Sequence, residues 1–72
     1  MNLSERLVAL KQSRDLLQKS IANDIGVSLR AYQYYERGER EPNVSVLIAL
    51  ADYFNVSIDY LVGRTDNPKI NR

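Results

Sequence analysis

Arg30 and Gln33 stand three residues apart and carry the two side chains best shaped to meet the flat edge of a nucleobase. A glutamine amide sets a donor beside an acceptor, which matches N6 and N7 of adenine. An arginine guanidinium sets two parallel donors, which match O6 and N7 of guanine. Tyr34 and Arg37 follow Arg30 at i+4 and i+7, so on a helix all four side chains share one face. Leu29, one residue earlier, adds apolar surface suited to a thymine methyl. The same residues also read as a plain solvated face, with Leu29 packed on a neighbouring helix. Only their surroundings separate the two readings.

Other chemistry is poorly equipped. Cysteine and histidine are both absent, which removes the thiolate, the disulfide and the side chain best suited to proton transfer near neutral pH or to zinc. No constellation of the remaining titratable groups resembles an active site, so the expectation is a protein that is not an enzyme and takes no metal or cofactor. Five tyrosines could in principle stack on single-stranded nucleic acid. Neighbours such as Tyr34 and Tyr35 point in different directions on a helix, however, which favours core, rim and interface roles.

Seventy-two residues make one domain, and a chain this short buries only about 60% of its unfolded surface. There is no run of about 20 apolar residues and no basic-then-apolar start, so the predicted location is the cytoplasm, associated with the nucleoid. The formal charge is only +1, but it is unevenly placed. Lys11, Arg14, Lys19, Arg30, Arg37 and Arg40 outnumber Asp15, Asp24, Glu36 and Glu39, whereas 43–63 carries only Asp52 and Asp59. The middle of the chain suits an anionic partner; the near-neutral total keeps open an all-α protein–protein interaction module.

The elements that must hold these residues read as helical throughout. Leu3, Leu7 and Leu10 form the stripe of a first helix, which Asn2 and Glu5 begin as a capping box. Ile21, Ala22 and Ile25 mark a second, closed by Gly26. Ser28 caps a third over 29–37, stopped by Gly38. Asn43 caps a fourth with Val44, Leu47, Ile48, Ala51 and Phe54 at helical spacing, and Ser57 a short fifth through Ile58, Leu61 and Val62. The predicted core is Leu3, Leu7, Leu10, Leu16, Ile21, Ile25, Val27, Tyr32, Leu47, Leu50, Phe54, Val56 and Leu61. The fold expected is all-α, with five short helices over 1–63 and a flexible tail or truncated linker over 64–72.

Between Gln18 and Arg37 several constraints coincide. Ala22 is small enough for two backbones to approach, Gly26 permits the turn, and Ile21, Ile25, Val27, Tyr32 and Tyr35 fill the corner. That spacing is the pattern of a helix-turn-helix formed by helices 2 and 3. Together with Tyr35-Glu36-Arg37-Gly38-Glu39-Arg40-Glu41-Pro42 and the stretch Leu50 to Leu61, it makes the chain resemble the Xre family, the phage-repressor and Cro-like domains. The likeness runs from about Leu3 to Gly63. It implies a compact five-helix domain whose third helix enters the DNA major groove, in a transcriptional regulator of a bacterium or phage.

On that resemblance, Leu29, Arg30 and Gln33 contact bases, while Gln18, Lys19, Tyr34, Arg37, Arg40 and Asn43 contact phosphates. Glu36 is expected to pair with Lys11, as the matching residues of the family commonly do, and Glu39 and Glu41 must point away from phosphate. Two positions depart from the pattern. Leu17 stands where members usually carry a capping Thr, with Asp15 and Gln18 as a substitute capping box. Tyr32 stands where Ile or Val is usual, and its hydroxyl is expected to reach the rim. The partners expected are double-stranded DNA and a second copy of the chain, paired through helix 5, where Tyr60 and Val62 lack an evident core duty.

Overall fold

The computed structural model describes residues 1–70 and contains five helices, α1 (Leu3–Ser13), α2 (Gln18–Ile25), α3 (Leu29–Arg37), α4 (Val44–Phe54) and α5 (Ile58–Leu61), with no strand among them. The Asn2–Glu5 capping box opens α1. Ser28, Asn43 and Ser57 cap α3, α4 and α5 by accepting from the backbone N–H three residues on.

Each helix ends in the same way. A residue in the left-handed region follows the last turn, and the next N–H reaches back to an otherwise orphaned carbonyl. These closures are Leu16 to Lys11, Val27 to Ala22, Glu39 to Tyr34, Val56 to Ala51, and Arg64 to Asp59. Glycine fills the left-handed position at 26, 38 and 63; Asp15 and Asn55 fill it at the other two. The α1 closure corrects the substitute capping box expected for α2. Asp15 has φ 54 and belongs to the end of α1, so it cannot also start the next helix. The N-cap of α2 is Leu17, 70% exposed and without a side-chain bond.

The helices surround one core of Leu7, Leu10, Ile21, Ala22, Tyr32, Tyr35, Leu50, Ala51, Phe54, Val56 and Leu61. Leu3, Leu16, Ile25, Val27 and Leu47 pack on it while half-buried. α3 lies against both α1 and α2, and α4 links α2 to α5. Val44 and Ile48, which share the helical spacing of α4, face solvent with Ile58 of α5. Tyr32 departs further from expectation: it is wholly buried and its hydroxyl does not reach the rim.

Arg6 is a buried cation on α1. Its guanidinium lies 3.8 Å from the centroid of the Tyr60 ring, and its Nε donates to the Tyr60 carbonyl at 3.0 Å. A terminal nitrogen reaches the Thr65 carbonyl at 3.4 Å and the Asp66 carboxylate at 3.5 Å. Tyr60 therefore has the core duty that its sequence position did not suggest, and Val62 is half-buried beside it. Arg6, together with a bond from Ser57 N–H to the Pro68 carbonyl, lays segment 64–70 against the body. Asn71 and Arg72, the end of the expected tail, lie outside the described residues.

The unfilled cap of α2 gives a direct test. Leu17→Thr supplies an acceptor for the first turn and removes an exposed apolar side chain, so it should raise stability by about 1 kcal/mol in urea unfolding. An unchanged midpoint would show that the first turn is already satisfied.

Candidate nucleic-acid interface

The turn of the motif is Gly26-Val27-Ser28. Gly26 takes φ 80, Val27 tucks halfway into the core, and the Ser28 side chain starts α3. Ile21, Ala22, Tyr32 and Tyr35 fill the angle between α2 and α3 and are all buried. Because the apolar side of α3 is consumed in this way, its opposite side must face out. Leu29, Arg30 and Arg37 are exposed, and Gln33 and Tyr34 are partly so.

Glu36 anchors the helix from beneath. It is only 8% exposed, and its Oε1 accepts from Lys11 Nζ and from Gln18 Nε2, both at 3.0 Å. The expected Lys11–Glu36 pair is thus present, and one carboxylate oxygen ties α1, α2 and α3 together. Ser4 adds a hydroxyl bond to the Glu36 carbonyl. Gln18 is less free than expected, because its Oε1 also accepts from Gln33 Nε2 at 3.2 Å. What remains for an anion there is one amide N–H and the first-turn N–H groups of α2, which Leu17 leaves uncapped.

Tyr32 Oη and Glu36 Oε2 are both buried, and neither meets a partner at hydrogen-bonding geometry. The carboxylate still acts on the phenol, which is pushed far above its ordinary pKa, first by burial and then by Glu36. The acid is the electrostatic neighbour of the hydroxyl although the pair lies outside normal bond geometry.

The cations at the far end of α3 are grouped by Tyr34. Arg37 and Arg40 lie 5.2 and 5.0 Å from its ring centroid. Glu39 does not point away as expected; it meets Arg37 Nε at 3.3 Å. Both side chains are more than half exposed, so the pair is weak and easily exchanged for another anion. Asn43 is also more committed than expected, since its Oδ1 caps α4 and leaves only its N–H groups for a phosphate. Lys19 and Arg40 are exposed.

The Gln18–Gln33 bond and the burial of Arg6 lie outside the sequence expectations. The first depends on the angle between two helices, which spacing along one helix cannot give. The second had a signal, because Arg6 lies three residues after Leu3 and one before Leu7, at the edge of the apolar stripe of α1.

A family model described as helix-turn-helix matches residues 7–61. The chain belongs to the helix-turn-helix family. A transcriptional repressor of the cryptic phage CTXphi in Vibrio cholerae, RstR, is 39% identical over 64 residues, covering 89% of this chain and 57% of that protein. The uncharacterized regulator YqaE of Bacillus subtilis is 36% identical, covering 93% of this chain and 58% of its own length. This helix-turn-helix chain therefore spans somewhat over half of these curated relatives. Among solved structures, a transcriptional regulator from Listeria innocua matches with TM-score 0.82 and 42% identity, over 86% of this chain and 58% of that one. The P22 c2 repressor, solved in complex with a synthetic operator, matches with TM-score 0.81 and 34% identity, over 86% and 94%. Among the described residues of this family member, no helix is long and apolar enough to cross a membrane.

The buried phenol makes stability depend on pH in a specific sense. The unfolded chain releases the Tyr32 proton at about pH 10, whereas the folded chain keeps it. Folding therefore retains an extra proton above that pH, and its stability should fall by about 1.4 kcal/mol per pH unit from this one group. Tyr32→Phe should show a shallower alkaline loss in urea unfolding. Equal slopes for the two proteins would mean that Tyr32 is not held protonated.

Proposed function

We propose that this domain binds double-stranded DNA sequence-specifically, with α3 in the major groove, and regulates transcription by occupying its site without catalysing a reaction. The observation that carries the reading is the uncovered face of α3. Arg30 and Gln33 lie on it, and the buried contacts of Tyr32, Tyr35 and Glu36 hold the helix from behind. The likeness to the P22 c2 repressor, solved with its operator, adds support.

In this reading Leu29, Arg30 and Gln33 contact bases. Gln18 and Lys19 at the open start of α2 hold one phosphate strand, and Tyr34, Arg37, Arg40 and Asn43 hold the other. Phosphate displaces Glu39 from Arg37, an exchange favoured by the greater charge of the DNA backbone. Residues 1–63 make up the binding unit and 64–72 a connecting tail. One such unit makes few base contacts, so two copies on half-sites about 34–36 Å apart would be needed for specific affinity. Tyr60 is engaged by Arg6, which shifts the pairing surface around α5 toward Ile58 and the exposed α4 residues Val44 and Ile48.

Gln33→Ala should cost roughly 1–3 kcal/mol on the cognate site and relax preference at one base position, measured by titration against single-base variants of the site. Arg40→Ala should weaken all duplexes alike and lower the salt slope by about one. A wild-type protein that shows no salt-dependent affinity for duplex DNA would contradict the reading and favour a protein-binding role.

A further inference from the structure

We infer that Glu36, which lies too deep to touch DNA, decides which base Gln33 accepts by fixing the polarity of a chain of amides. The inference rests on the base contact proposed for Gln33 and concerns how that contact is set.

The argument follows from donor and acceptor identity. A carboxylate has no proton to give and an ammonium has no lone pair, so Glu36 can only accept from Lys11 and from Gln18. Gln18 must therefore turn its Nε2 toward Glu36, which leaves its Oε1 directed at α3. Gln33 can meet that oxygen only with its own Nε2, at the 3.2 Å observed. One N–H and the carbonyl oxygen of Gln33 then remain for a ligand. That pair matches the N7 acceptor and N6 donor of adenine. Guanine offers two acceptors, and its O6 would oppose the glutamine oxygen. A free glutamine could swing its amide to give guanine both N–H groups, but here that motion breaks a bond whose direction a buried charge has set. Partial burial of the chain strengthens each of its bonds and raises the cost of reversing any one of them.

Glu36 and Gln18 are thus positioning residues, and reversal of the charges should reverse the reading. In the double variant Lys11→Glu with Glu36→Lys, the ion pair is retained but position 36 becomes a donor. Gln18 must then present Oε1 to it and Nε2 to Gln33, which accepts with its own oxygen and frees two N–H groups. The preferred base at the position identified by Gln33→Ala should change from adenine to guanine, with about a tenfold or greater reversal of relative affinity. A role limited to holding α1 against α3 predicts no such change.

The experiment is titration of the wild-type and variant chains against duplexes carrying each of the four base pairs at that position, with folding followed by circular dichroism. Gln18→Ala, which keeps the Lys11–Glu36 ion pair, serves where the charge swap does not fold. It should lower the preference for adenine over guanine about tenfold at that position, whatever it does to overall affinity. Glu36→Gln, which keeps an acceptor facing Gln18, should retain adenine. A folded charge-swap protein that still prefers adenine, or a Gln18→Ala protein with wild-type preference, overturns the relay and leaves the base contact standing. If Gln33→Ala changes no position at all, the base contact itself is wrong, and the relay falls with it.

Discussion

One carboxylate oxygen holds the arrangement of the first three helices. Glu36 Oε1 receives Lys11 from α1 and Gln18 from α2 while belonging to α3, so a single buried acceptor fixes three elements at their meeting point. Burying such a charge is costly unless it is paired and bonded, and here both conditions are met on Oε1. Oε2 stays unbonded beside the Tyr32 hydroxyl. The balance explains why the interaction is directional. Removal of either donor leaves a buried, partly uncompensated charge, whereas the intact set ties α3 to both α1 and α2.

Around that point the structure relies on local rules applied repeatedly. Among the described residues no helix exceeds 11 residues, and helices so short do not persist alone in water. Each is closed at its end by a left-handed residue, and four of the five are opened by a capping side chain. These devices do not supply the core, but they fix where each helix stops and hence the direction of the next. The corner between α2 and α3 follows from Gly26 ending one helix and Ser28 starting another only two residues later.

This accounts for what could be read from the sequence and what could not. The five helices were legible because caps and stops are local, and the apolar stripes repeat at helical spacing. The Lys11–Glu36 pair was reachable through the family resemblance. Tyr32 differs from expectation because a phenol hydroxyl ordinarily seeks a partner at the rim, whereas this one is shut in with Glu36. Asp15 is ambiguous in sequence because an acid before a helix suits an N-cap as well as the left-handed end of the preceding one, and only the backbone decides. The Gln18–Gln33 bond and the bond of Arg6 to the Tyr60 carbonyl depend on which distant segments meet; periodicity marks Arg6 only as the edge of the α1 stripe and does not encode its partners.

The missing cap on α2 has a physical sense in the setting of the proposed interface. A threonine at 17 would satisfy a first-turn N–H internally, in competition with any anion approaching the same end of the helix. Leu17 cannot do so; it leaves those donors outward and sits exposed beside them. In a chain with so thin a margin, about 1 kcal/mol of lost capping is a sizeable concession. It is tolerable because α2 is held from its other side. Ile21 and Ala22 are buried, and Gln18 is drawn inward by Glu36. The helix thus takes its position from tertiary contacts rather than from its own first turn, which leaves the polar groups of that turn available to a ligand.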